Sequence, residues 1–296
     1  MRIATCSYND QVHLAIVQED SVFFPATHPQ WPDDISTMLQ LIDAGEQSLQ
    51  DLQKLIVTAR HSEWLPLADV ELLSPIPRPR QNVMCLGWNY IEHVEETSGK
   101  AIEAPKLPKY PIVFTKAASS MNGPFADIPV DLEVSNKMDW EVELAVIIGK
   151  TGQKISKKDA LDHVFGYSVI NDVSAREIQK RHKQFFVGKS FTGACPMGPW
   201  IVTKDEIADP QNLNIKSWVN NDLKQDSNTQ FQIFDIASVI ETLSRGMTLE
   251  AGDIIATGTP SGVGYVRTPP EYLMPGDVVD CEVEGIGRIS NPIVAK

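Results

Sequence analysis

Apolar and polar positions along this chain follow two different periods. Residues 1 to 24 carry three short alternating runs, Arg2–Cys6, Val12–Val17 and Ser21–Phe24, separated by the polar pairs Asn9-Asp10 and Glu19-Asp20. That pattern predicts three strands in a small meander. From Ile35 to about Arg60 the spacing changes: Met38, Leu39 and Ile42, then Leu49, Leu52, Leu55 and Ile56, recur at helical intervals on either side of Gly45. Two short helices should pack on the meander. Ser74-Pro-Ile-Pro-Arg-Pro-Arg80 cannot continue a helix and reads as a linker. It divides the chain into a small α+β domain, residues 1–75, and a larger domain, residues 76–296.

The larger part opens with a short buried-type strand, Asn82–Gly87, and a segment of helical character, Trp88–Glu96. Residues 98 to 111, rich in Pro and Lys, read as a mobile loop. Trp140–Gly149 is apolar except at Glu141 and Glu143, and Val164–Asn171 is a second apolar run that stops at Asp172. Ser174 to Lys183 reads as a helix, with Ser174 as N-cap and Glu177 completing a capping box. In the last third, Gly252-Asp253 and Gly276-Asp277 precede the strand patterns Ile254–Thr257 and Val278–Val283. The fold class this implies is α+β and β-rich.

Two acids inside an apolar strand carry the first chemical signal. Side chains alternate faces along a strand, so Glu141 and Glu143 share one face roughly 6 to 7 Å apart, with Ala145 and Ile147, while Val142, Leu144, Val146 and Ile148 line the other. Two buried carboxylates side by side need a cation or a proton. Asp172, at a strand-to-helix turn where binding residues gather, offers a third oxygen donor. An all-oxygen set favours magnesium, manganese or calcium over zinc. The competing reading, that the two acids line the wet face of a half-exposed strand, is open at this point.

Composition narrows the partners. The 296 residues carry 26 Lys and Arg against 39 Asp and Glu, a formal net charge of −13, which argues against nucleic acid and anionic membranes. Cys6, Cys85, Cys195 and Cys281 are scattered, with no disulfide framework and no zinc-ligand spacing, as suits reduced thiols in a cytoplasmic protein. The N-terminus lacks a signal-peptide core, and no apolar run approaches the roughly 20 residues that span a bilayer. Thr257-Gly-Thr-Pro-Ser-Gly-Val-Gly264 is Gly-rich but lacks the Gly-Lys-Ser/Thr ending of a phosphate loop, and no Gly-x-Ser-x-Gly nucleophile elbow is present.

An ordered set of segments resembles the fumarylacetoacetate hydrolase family over about residues 80 to 294. The set comprises Gly87-Trp-Asn-Tyr-Ile-Glu-His93, Pro111-Ile-Val-Phe-Thr-Lys116, Asp139-Trp-Glu-Val-Glu-Leu144, Gly166-Tyr-Ser-Val-Ile-Asn-Asp-Val-Ser-Ala-Arg176, Gly188-Lys-Ser-Phe191, Pro196-Met-Gly-Pro-Trp200, Gln225-Asp-Ser-Asn-Thr229 and Thr257–Gly264. The resemblance implies a mixed β-sandwich roll, a homodimer, and Mg2+ or Mn2+ held by Glu141, Glu143 and Asp172. Residues 1–75 look like the small extra domain of some bacterial members. Members cleave or rearrange short 2-oxo and dicarbonyl acids, as hydrolases of acylpyruvates or fumarylacetoacetate, decarboxylases of oxaloacetate, or isomerases and hydratases of dienoates such as 2-hydroxyhepta-2,4-diene-1,7-dioate.

The same resemblance implies roles for further residues. His93 and Glu96, three apart on a helix, match the pair that activates water in the family's hydrolases. Lys189 matches the lysine near the metal, where an ammonium favours an enolate. Lys116, Arg176, Gln179 and Thr259 match substrate-binding positions, Arg176 as a fork for a carboxylate. Family members commonly have Arg-Gln where this chain has Lys224-Gln225, which bears on substrate choice. The expectation is a metal-dependent C–C hydrolase or decarboxylase, its rivals an isomerase and a non-catalytic scaffold that binds metal and acid.

Overall fold

The structure, a computed structural model, describes residues 1–97 and 107–296. The predicted loop at 98 to 111 therefore falls largely outside the described residues.

Among the described residues, the backbone builds one twelve-stranded sheet, a five-stranded sheet and a two-stranded ribbon. The meander forms as predicted: Arg2–Tyr8 pairs antiparallel with Gln11–Gln18, and Gln11–Gln18 with Ser21–Phe23. The helix pair is present as Met38–Thr58, broken at Gly45, whose φ of 77° no other residue type adopts cheaply. Thr37 caps it, bonded in both directions with Gln40. Leu41, Ile42, Leu52 and Leu55 turn into the core under the sheet. No helix among the described residues is long and apolar enough to cross a membrane.

The sheet runs through both parts of the chain. Arg2 and Ile3 pair with Val202 and Ile201 of Cys195–Thr203, which also pairs with Val164–Asn171. The segment read as a linker is packed: Ile76 is buried, and Pro75 O accepts from Thr5 Oγ1 at 2.7 Å. We keep 1–75 and 76–296 as a proposed division, with a sheet shared across it.

Strand Val142–Ile148 sits centrally, between Val164–Asn171 and Ile254–Ala256, and every residue in it is buried. Its alternation has the predicted consequence. Val142, Leu144, Val146 and Ile148 pack with Ile215, Val279 and Ile289 of the five-stranded sheet, whereas Ala145 and Ile147 pack with Ile16, Leu41 and Ile254. Two layers thus close on this strand, one on each face.

Close backbone approach fixes its neighbour. At Gly166 an added Cβ would stand 2.3 Å from Val202 O, so a methyl group fits only if the strands part. Gly166→Ala is expected to lower unfolding stability by about 1–3 kcal/mol in a urea titration. An unchanged midpoint would mean that this pairing can spread at no cost.

One predicted cap is corrected. Ser174 does not start a helix: Ser174–Ala175 pairs with Met138–Asp139, and the helix runs Arg176–His182 from N-cap Ala175 with no side-chain cap bond. The Ser174 hydroxyl instead donates to Asp172 O at 2.9 Å, and Glu177 Oε1 accepts from Asn136 N at 3.2 Å. Strand pairing has captured the residue that local sequence assigns to a cap.

Candidate metal centre and active site

Strand register brings the three acids together. Val142 is opposite Asn171, Asp172 N donates to Glu141 O at 2.9 Å, and Glu141 N donates to Asn171 Oδ1 at 3.0 Å. One carboxylate oxygen each from Glu141, Glu143 and Asp172 lies within 4.8 Å of the others, and all three residues are buried. The wet-face alternative is thereby excluded.

Cations surround two of the acids and leave the third short. Lys189 Nζ donates to Glu141 Oε2 at 2.6 Å and to Asp172 Oδ2 at 2.7 Å. Lys116 Nζ donates to Asp172 Oδ1 at 2.7 Å, and Arg176 Nη1 lies 2.7 Å from Glu141 Oε1. Glu143 Oε2 accepts from Gly258 N at 2.7 Å, but its Oε1 is buried without a hydrogen-bond partner. Four buried carboxylates, counting Asp139, therefore meet three buried cations. This is where a divalent cation fits: an all-oxygen set, an orphaned carboxylate oxygen, and one negative charge in excess.

The protonation preferences follow the same balance. Burial and the repulsion of Asp172 and Glu141 push the Glu143 carboxyl well above its ordinary range. Burial opposes charge on Glu141 too, but Lys189, Arg176 and His93 outweigh it and hold that carboxyl well below the usual range. For Lys189, burial is again outweighed, here by Asp172 and Glu141, and its ammonium is held more firmly than a free lysine. In the absence of metal Glu143 is thus the acid that keeps a proton.

A cavity of about 190 Å3 opens on this cluster, with His93, Glu141, Lys189 and Thr259 in its wall. His93 lies on helix Ile91–Thr97, and its Nδ1 is 2.7 Å from Glu96 Oε1. Glu96 Oε2 accepts from Gly262 N at 2.8 Å, so one carboxylate orients the imidazole and anchors the 257–265 loop. With Nδ1 engaged, Nε2 is the nitrogen left for proton transfer. Trp88, Phe114 and Phe185 supply the apolar part of the cavity, and Arg176, Gln179, Lys180 and Tyr265 another polar wall.

The predicted site residues do not all have the surroundings expected. His93, Glu141, Arg176, Gln179, Lys189 and Thr259 line the cavity, and Glu96 acts through His93. Lys116 stands apart from them: it is fully buried, is not part of the cavity wall, and donates to Asp172 and to Val173 O at 3.1 Å, where it holds a carboxylate in place.

Two residues were given no site role from sequence. Asp139 accepts from Gly264 N at 2.7 Å, Tyr265 N at 3.1 Å and Arg176 Nε at 2.8 Å, tying the loop to the helix. Gln225 Oε1 accepts from Val142 N at 3.1 Å, between the two strand acids, while its Nε2 donates to Thr259 Oγ1 at 2.7 Å and Pro260 O at 2.9 Å. Both lie inside segments that carry the family resemblance, which was the available signal. At Gly262, φ is +104° and an added Cβ would stand 2.1 Å from Lys224 O, which explains the glycine at the tightest point of this loop.

Known proteins resemble this chain in sequence and in fold. The family model for the fumarylacetoacetate (FAA) hydrolase C-terminal domain matches residues 82–294. Oxaloacetate tautomerase YisK of Bacillus subtilis (strain 168) is 50% identical over 263 residues, covering 87% of this chain and 86% of that protein. The mitochondrial oxaloacetate tautomerase FAHD2A of Homo sapiens is 43% identical over 260 residues, covering 87% and 80%. Among solved structures, a fumarylacetoacetate hydrolase from psychrophilic Exiguobacterium antarcticum superposes with a TM-score of 0.85 at 38% identity over the full length of both chains. A maleylpyruvate hydrolase from Sphingobium sp. SYK-6, in complex with manganese(II) and pyruvate, does so at 0.80 and 31%, covering 100% of this chain and 99% of that one. With the match spanning most of its length and relatives this similar, the chain belongs to the fumarylacetoacetate hydrolase family.

Proposed function

We propose that this chain is a divalent-metal-dependent enzyme that interconverts the enol and keto forms of a short 2-oxo dicarboxylic acid, oxaloacetate being the substrate tested first. One observation carries the reading: the acid triad reaches, through Glu141, a single small cavity whose wall also holds the base His93 and the ammonium of Lys189. The tautomerase activity of the relatives at 50% and 43% identity supports it.

Magnesium or manganese bound by Glu141, Glu143 and Asp172 would supply a Lewis acid toward the carboxylate and carbonyl oxygens of a 2-oxo acid. The protein's own groups handle the protons. His93 Nε2 takes a proton from C3; the C–H electron pair becomes the C2=C3 double bond, the carbonyl pair moves to oxygen, which takes a proton from water, and the imidazolium returns its proton to water. In ketonisation the same imidazole returns the proton to C3. Glu96 stabilises the imidazolium through Nδ1, and Lys189 offsets the charge that develops on oxygen. Trp88, Phe114 and Phe185 form the apolar part of the cavity wall.

A second reading, C–C cleavage of an acylpyruvate or decarboxylation of oxaloacetate, uses the same residues with His93–Glu96 directed at water. The structural similarity to a hydrolase that binds manganese and pyruvate favours keeping it. Ultraviolet absorbance of the oxaloacetate enol, followed with added Mg2+ and with chelator, tests the first reading, and pyruvate release from oxaloacetate and from an acylpyruvate tests the second. His93→Gln is expected to lower chelator-sensitive tautomerisation by about 10²–10⁴-fold while leaving metal binding in place. Undiminished tautomerisation in that variant would remove His93 from the chemistry.

A further inference from the structure

Val142 stands between two of the three acids, and its backbone is held by side chains instead of by a strand. In an antiparallel pair, successive residues turn their N–H and C=O groups to opposite edges. Asp172 N bonds Glu141 O across the pairing with Val164–Asn171, so the groups of Val142 face the other edge. There the partner strand runs out. Pairing with Ile254–Ala256 covers Ala145 to Ile147, and Thr257 N still donates to Leu144 O at 3.1 Å. At Gly258, where φ is +95°, the chain turns and its N–H meets Glu143 Oε2 at 2.7 Å. The turn that gives Glu143 a donor leaves Val142, among the described residues, without a backbone partner on that edge.

Gln225 and Thr259 fill the place. Val142 N donates to Gln225 Oε1 at 3.1 Å, Gln225 Nε2 donates to Thr259 Oγ1 at 2.7 Å, and Thr259 Oγ1 donates to Val142 O at 2.9 Å, which closes a ring of three bonds around one residue. Ser217 Oγ, opposite Gln225 in the pairing of Asn214–Val219 with Asp222–Asn228, donates to Oε1 at 2.9 Å, and Pro260 O accepts from Nε2 at 2.9 Å. Both acceptor positions and both N–H groups of the amide are thus engaged, and turning it over would set N–H against N–H.

We propose that Gln225 is a positioning residue for the metal centre: standing in for the absent strand, it fixes the backbone between Glu141 and Glu143 and ties the spacing of the two carboxylates to Thr259 in the cavity wall. The proposal rests on the reading of Glu141, Glu143 and Asp172 as metal ligands and adds what holds two of them in register. Gln225 is 1% exposed and is not part of the cavity wall, so it acts through Val142 and Thr259. The peptide units that carry Glu141 and Glu143 meet at Val142, and a tilt there moves both carboxylates relative to Asp172 on the neighbouring strand. Mg2+ demands near-ideal octahedral geometry, whereas Ca2+ accepts a flexible shell, so a loosened pair of acids penalises the smaller ion more.

Calorimetric titration of the metal-free protein with Mg2+ and with Ca2+ tests this, circular dichroism showing that each variant is folded. Gln225→Met, which keeps the bulk and removes the amide, is expected to lower Mg2+ affinity by about 10–100-fold and Ca2+ affinity by much less. Thr259→Val opens the same ring from the cavity side and should shift selectivity in the same direction. Because the two residues act as one unit, the double variant should bind Mg2+ about as well as Gln225→Met alone. Unchanged Mg2+ affinity in folded Gln225→Met, or equal losses for the two ions, reduces Gln225 to a packing role and overturns the proposal. Should Gln225→Met not fold, Thr259→Val decides by the same criteria. A wild type that binds neither ion overturns the reading of the three acids as a metal site, and the proposal with it.

Discussion

Glu143→Gln is expected to leave the metal-free protein within about 1 kcal/mol of wild-type stability while lowering divalent-metal affinity by more than 100-fold. The first half follows from the proton that Glu143 keeps when no metal is bound. A glutamine has the shape of a protonated glutamic acid, and its Oε1 can still accept from Gly258 N, so little is lost on exchange. The second half follows because an amide supplies no negative charge to a cation. Loss of an outer-shell partner already costs about 10–100-fold in affinity, and Glu143 is one of the three acids proposed to contact the ion itself. Urea unfolding in chelator and calorimetric titration with Mn2+ read the two halves separately. Strong destabilisation in chelator would show that Glu143 is ionised in the metal-free state, and unchanged Mn2+ affinity would sink its role as a ligand.

Much of this centre was legible because it is local. Alternation alone places Glu141 and Glu143 on one face, and the apolar runs on both faces of Val142–Ile148 announce a buried strand. Asp172 was legible as the residue that ends the next strand, since strands consecutive in sequence pair with each other more often than not. What stayed hidden depends on contacts between distant segments. Lys116 meets Asp172 across 56 positions, and a lysine closing a strand pattern looks the same in sequence whether it faces a ligand or a buried acid. Gln225 sits in Asp222–Asn228, a strand so polar that it reads as a solvated turn, yet the side chain is 1% exposed because two sheets close over it. The N-cap assigned to Ser174 failed for the same reason: a local rule competed with a strand, Met138–Asp139, that local rules do not see.

Lys189→Met should separate the structural and chemical roles of the ammonium. In the metal-free protein the substitution removes the donor shared by Glu141 and Asp172, and an uncompensated buried charge of this kind costs about 3–5 kcal/mol. Arg176 and Lys116 still hold one oxygen of each acid, so the protein is weakened without the triad being dispersed. A divalent cation supplies the missing charge. Saturation at about 1,000 times Kd stabilises by about 4 kcal/mol, and the gain should be larger in the variant than in the wild type, where an ammonium competes for the same oxygens. Turnover should not recover in parallel. A cation held by the three acids does not replace a donor aimed at the oxygen of the enolate, and loss of such a donor typically costs 10²–10³-fold in kcat. Thermal unfolding and oxaloacetate tautomerisation, each with and without Mn2+, give the four values needed. If Mn2+ restores turnover together with stability, Lys189 serves only to balance charge; if stability alone returns, the ammonium acts on the substrate.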